Sequence, residues 1–165
     1  MREKEILKVS KKLFSKYGFK KVSMDEIAKN AGVTKKTVYA NFASKEELLN
    51  SLIKLELQDM KERFEKMEKE SNDFFEGINK GLITLLIFRK RNNLFKTLFE
   101  EAEILRNKSL INSIRYIEQD VIDYIKRKLE KAEQDGYIVF DNIDVLTFLI
   151  YKMYIAMIID WNGLY

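Results

Sequence analysis

Residues 32–48 read GVTKKTVYANFASKEEL, and their spacing decides how the chain is expected to fold. Thr34 stands where a helix N-cap belongs, and Val38 and Phe42, four residues apart, share one face of the short helix that follows. Lys35, Lys36, Tyr39 and Ala40 fall on the opposite face. Two lysines in a first turn meet the positive end of the helix dipole, at a cost of about 0.3–1 kcal/mol each. An anion bound nearby would remove that cost.

Immediately upstream, SMDEIAKNAGV gives Ser23 and Glu26 capping-box spacing, with Ile27, Ala28 and Ala31 as a narrow apolar stripe and Gly32 permitting a left-handed turn. Before that, Ile6, Val9, Ser10, Leu13, Phe14 and Tyr17 share one face of a helix that stops at Gly18. A short helix, a glycine turn and a second short helix on a preceding amphipathic helix make a helix-turn-helix, whose second helix can enter the major groove.

Three capped helices also describe a plain bundle, and lysine-rich faces are commonly only solvated. Three features favour a polyanion. Lys35 and Lys36 sit where the dipole disfavours them, beside the hydroxyls of Thr34, Thr37 and Tyr39, which suit phosphate oxygens. Ser44 and Lys45 open the next helix, where a phosphate would receive backbone N–H groups and the ammonium together. The basic excess is also local: residues 1–54 hold 13 Lys and Arg against 6 Asp and Glu, a net of +7, and the remainder nets −3.

Downstream, Ser44 and Glu47 repeat the capping-box spacing before a stripe of Leu49, Ile53, Leu57, Met60, Phe64 and Met67, a long amphipathic helix expected to end near Ser71. Helical segments follow at 74–88 and 94–105, then a long one carrying Ile111, Ile114, Val121, Ile125 and Leu129 and ended by Gly136. The last, 144–161, behind Asp141 or Asn142 as cap, is apolar almost all round, the mark of burial on more than one side. Its short length and Lys152 near its middle argue against a membrane span. With no proline and no strand-like alternation, the chain reads as all-α. The expected architecture is an N-terminal three-helix helix-turn-helix domain, 1–47, joined by a long helix to a C-terminal helical bundle, 48–165.

The 165 residues are 46% hydrophobic, enough for a real core, and contain neither cysteine nor histidine. Disulfides, thiolate zinc sites and thiol catalysis are excluded, as are Glu-x-x-His metal sites, and the commonest general base is missing. No enzymatic activity, cofactor or metal is expected. The opening MREKEILKVSKKLF is charged throughout and lacks the apolar core of a signal peptide, which points to the cytoplasm.

Residues 6–49 resemble the N-terminal domain of TetR-family transcriptional regulators. The resemblance is carried by LF-x3-GF at 13–19, SMDEIA from Ser23, AGVTK at 31–35, TVY-x-x-F at 37–42 and SKEEL at 44–48. It implies Thr34, Thr37, Tyr39 and Lys45 as phosphate contacts and Lys35, Lys36 and Ala40 as residues facing base edges, with Ser23 and Asn41 counted among the DNA-binding positions. Lys36 departs from the family, where glycine is frequent; its ammonium suits guanine O6 or N7, or another phosphate. Tyr39 also has a reading as a packing residue. The family carries a variable ligand-binding and dimerisation domain after this point, usually with one helix beyond the position of Trp161, so the C-terminus is expected to be short.

Aromatic and sulfur side chains concentrate in 74–161, mostly as ordinary core. Phe95, Phe99, Tyr116, Tyr151, Tyr154 and Trp161 are the ligand-pocket candidates, and since these stripes lack buried charges the effector is expected to be apolar or aromatic. The resemblance implies a homodimer through the C-terminal helices, matching a palindromic double-stranded operator. The expected function is a repressor released from its operator by a small molecule, with the long helix as mechanical link. The alternative is a constitutive DNA-organising or scaffolding dimer without an effector.

Overall fold

The computed structural model describes residues 2–91, 93–106 and 108–156, with the side chains at 75, 82, 85, 86 and 88–91 outside that description. Among the described residues the chain forms helices α1 (Arg2–Tyr17), α2 (Met24–Asn30), α3 (Lys35–Asn41), α4 (Lys45–Lys69), α5 (Phe74–Arg91), α6 (Leu94–Leu105), α7 (Lys108–Gln134) and α8 (Ile143–Ile155), and no strand. The all-α reading therefore holds.

Two compact units divide these helices. The first comprises residues 1–62 and 92–113, the second 63–91 and the chain from Ile114 onward. Both α4 and α7 contribute residues to each unit.

In the first unit, α1 buries Ile6, Leu7, Ser10 and Phe14. Ser10 is tolerated there because its Oγ donates to the Ile6 carbonyl at 2.7 Å. Leu7 takes a place in the core that the expected face did not include, and Tyr17, expected on that face, is 49% exposed. The reason is local: α1 ends at Tyr17, Gly18 turns the chain at φ +84°, and Phe19 enters the core instead, its ring edge-on to Phe14 at 5.4 Å. Helix α4 follows its predicted stripe, burying Leu49, Ile53, Leu57 and Met60. It also buries Glu56, whose carboxylate receives the Lys11 ammonium at 2.7 Å. Helix α6 packs against α1, burying Leu94, Phe95, Leu98 and Ala102 at helical spacing, and the Thr97 hydroxyl donates to the Ser15 carbonyl at 3.3 Å.

In the second unit, α7 buries Ile117, Val121, Leu129 and Ala132, while Ile114 and Ile125 are only partly covered. Asn142 is the N-cap of α8, its Oδ1 accepting from the Asp144 and Val145 amides. Helix α8 is not covered all round: Thr147 and Tyr151 are buried, whereas Val145, Phe148, Leu149 and Met153 form a stripe each more than half exposed. No described helix is long and apolar enough to cross a membrane.

Candidate nucleic-acid interface

Two seven-residue helices are too short to persist on their own, so their ends decide whether they form. Ser23 caps α2 with its Oγ accepting from the Glu26 amide at 3.2 Å, and the Glu26 carboxylate accepts from the Ser23 amide at 2.8 Å, completing the predicted capping box. The Ser23 amide, and the Ser23 hydroxyl donating at 2.9 Å, hold the exposed Glu26 carboxyl below its usual range. At the other end Gly32, at φ +64°, lets the Val33 amide reach the Ala28 carbonyl and its own amide reach that of Lys29, a Schellman closure.

Thr34 then caps α3, its Oγ1 accepting from the Thr37 amide at 3.1 Å and lying 2.9 Å from the Thr37 hydroxyl. Val38 and Phe42 are buried, as their spacing requires. Lys35, Lys36, Tyr39, Ala40 and Asn41 are exposed together on the other side, next to the partly covered Thr37. The Asn41 amide donates to the Thr37 carbonyl at 2.7 Å.

The two lysines are not equivalent. Lys35 pairs with Asp25 on α2 at 2.8 Å, and that contact raises its pKa. Lys36 has no ion-pair partner among the described residues, leaving a whole charge on an exposed helix start. Asp25 lies ten positions before Lys35 across a turn, so no helical periodicity announces the pair.

Lys45, expected as a phosphate contact, directs its ammonium to the α1–α2 turn in this structure. Its Nζ donates to the Phe19 carbonyl at 2.9 Å and the Val22 carbonyl at 2.8 Å, and sits 4.4 Å from the Phe19 ring centroid. Partial burial lowers its pKa even with Glu46, Glu101 and Glu26 pulling the other way. In this structure its ammonium holds the α1–α2 turn; the physical reason is that the turn presents carbonyls within reach of the α4 N-terminus. Ser44 accepts from the Glu47 amide at 3.0 Å, while the Glu47 carboxylate reaches back to the Ala43 amide instead of closing on Ser44 itself.

The same turn is held on its amide side by Glu101 of α6, a residue with no distinguishing mark in the run EEAE. Its Oε2 accepts from Phe19 N at 2.5 Å and its Oε1 from Lys20 N at 2.6 Å. The pocket candidates divide between the units: Phe95 and Phe99 belong to the first, with Phe95 buried in its core, and Tyr116, Tyr151 and Tyr154 to the second. Tyr116 is exposed; the Tyr151 hydroxyl donates to Glu118 Oε1 at 2.7 Å; Trp161 lies outside the described residues.

Residues 6–52 match the family model for bacterial regulatory proteins of the TetR family. Over 161 residues the chain is 33% identical to the uncharacterized HTH-type transcriptional regulator YhgD of Bacillus subtilis, covering 98% of this chain and 84% of that protein. The chain belongs to the TetR family.

Two further likenesses extend the comparison. The Vibrio atlanticus nucleoid occlusion factor SlmA is 26% identical over 134 residues, covering 80% of this chain and 68% of that one. The fold of the fatty acid degradation regulator FadR from Bacillus halodurans superposes with a TM-score of 0.79 at 17% identity, covering 97% of this chain and 83% of that one. This TetR-family chain is thus a DNA-binding transcriptional regulator, from a family of regulators that bind operators as dimers and are not enzymes.

Proposed function

We propose that the chain is a homodimeric repressor acting in the cytoplasm, which binds a two-fold DNA operator through the exposed face of α3 and releases it when an apolar or aromatic small molecule binds the C-terminal domain. The observation that carries the DNA part is the capped α3, with the Lys36 ammonium, unpaired among the described residues, beside Lys35, Tyr39, Ala40 and Asn41. Thr34, Thr37 and Tyr39 bear the hydroxyls for phosphate, Lys36 and Ala40 face base edges, and Ser23 at the start of α2 lies within the same capped assembly. Lys45 serves this face by holding the turn that leads into α2.

The exposed stripe of α8 supports dimerisation through C-terminal helices, since an apolar row of this kind on a soluble regulator is ordinarily covered by a partner. For the effector, support comes from the inner side of α8. The buried Thr147 hydroxyl has no partner among the described residues, and burial pushes the phenols of Tyr151 and Tyr154 above their ordinary value. Few polar groups in apolar surroundings suit a largely apolar molecule, and the name of the FadR relative in fold, a regulator of fatty acid degradation, is consistent with that chemistry.

Selection of bound fragments from a random DNA pool tests the first part and supplies an operator. Lys36→Ala should then weaken binding and lower the slope of log affinity against log salt by about one. Unchanged affinity and slope would remove α3 as the contact face. Titration with fatty acyl and aromatic compounds tests the second part, because only a ligand that prefers the DNA-incompetent state lowers affinity. Operator affinity indifferent to the whole series would favour the constitutive DNA-organising reading, to which the likeness to a nucleoid occlusion factor lends weight.

A further inference from the structure

The α1–α2 turn is gripped from two sides by opposite charges. On its carbonyl side stands the Lys45 ammonium from the start of α4, bonded to Phe19 O and Val22 O. On its amide side stands the Glu101 carboxylate from α6, taking Phe19 N and Lys20 N, one on each oxygen. Phe19 and Val22 are each 2% exposed, so the side chains of the gripped residues are anchored in the core beneath.

Gly18 makes the second grip possible. A Cβ at that position would stand 2.8 Å from Glu101 Oε2, closer than real Cβ contacts come, so a larger residue there would require the carboxylate to shift from its place on the turn. Helix α6 also touches the end of α1 through Thr97 and the Ser15 carbonyl. Beyond the turn the chain passes directly into the Ser23 cap, α2, the Gly32 closure and α3, with α2 packed on both α1 and α3. The placement of the DNA-reading helix is therefore inherited from the placement of this turn.

We propose that Glu101 is a positioning residue for DNA binding: its carboxylate, working against Lys45 across the turn, sets where α2 and α3 stand and gives α6 a direct hold on the DNA-reading helices. The proposal rests on the reading of α3 as the DNA contact. Its sign is unusual, because an acidic residue on a DNA-binding unit ordinarily opposes a polyanion, whereas this one supports binding through geometry.

The test compares wild type, Glu101→Gln, Glu101→Ala and Lys36→Ala on one duplex recovered by selection, with affinity read across a salt series. Glutamine keeps the volume of the side chain but offers one acceptor and sets an NH2 donor against the second amide. The proposal expects both Glu101 variants to lose about tenfold in affinity with the salt slope of wild type, since two charge-assisted bonds are lost and no phosphate contact is. It also expects faster hydrogen exchange at the Phe19 and Lys20 amides in the free Glu101→Gln protein, with the amides of the buried part of α4 still protected.

Loss in the alanine variant alone would mean that the side chain only packs, and tighter binding in both would mean that its charge only repels; either result overturns the proposal, as does unchanged exchange at the two amides. Lys36→Ala keeps the two readings distinct. If it lowers affinity and slope while the Glu101 variants bind as wild type, α3 is the contact face and Glu101 does not position it. If wild type binds no selected duplex, the DNA reading and the positioning role fall together, and the exchange result still reports on the grip itself.

Discussion

At the scale of single residues, Gly18 and Gly32 look alike in sequence and differ in consequence. Both hold positive φ, where an L side chain costs about 1–2 kcal/mol. A Cβ at Gly32 meets nothing within 4 Å, whereas one at Gly18 collides with the Glu101 carboxylate. Urea denaturation should therefore show Gly18→Ala as the more damaging of the two, and the excess should disappear when Glu101 is also alanine. Equal losses in both backgrounds would mean that Glu101 gives way freely. Local sequence marks Gly18 as a helix stop and Gly32 as a left-handed turn, but it does not mark Glu101, because a contact spanning 82 positions leaves no periodic trace. Lys45 illustrates the same limit. Its charge was legible at a helix start, but its direction was decided by carbonyls brought close by the tertiary fold.

Single elements were the most legible part of the chain. Caps at Ser23 and Thr34, the closure at Gly32, and the burial of Val38 and Phe42 all follow from local rules, while the cap of α8, open between Asp141 and Asn142 in sequence, falls to Asn142. At the last turn of α1 the structure departs from the expected face, since periodicity alone continues to Tyr17 and does not anticipate that Phe19 folds back to fill that place. The cap of α2 also carries a pH signature. Glu26 has its folded pKa depressed from 4.5 by the Ser23 amide and hydroxyl. Its contribution is thus complete above that value and lost as pH falls through the lower folded one. Glu26→Gln should make the acid-induced fall in melting temperature below pH 4.5 shallower. A curve parallel to that of wild type would mean that the box contributes nothing measurable.

At the scale of the whole molecule, the two compact units are not two successive stretches of chain, because α6 returns to pack on α1. Hydrophobic patterning marks α6 as a helix and says nothing about which partner it finds. The α8 stripe belongs to this scale too. If it forms a two-fold seam, Phe148→Glu and Leu149→Glu each introduce like charges that meet across the axis. Sedimentation should then record a shift toward monomer, with operator affinity falling alongside, and a dimer of unchanged stability would place the seam elsewhere. The grip on the α1–α2 turn finally bears on how regulators of this kind can be recombined. A chimera that grafts residues 1–47 onto another sensor body brings Lys45 with it and leaves Glu101 behind. Its turn would keep its cation and lose its anion, so an interchangeable DNA-reading module for this protein has to include α6.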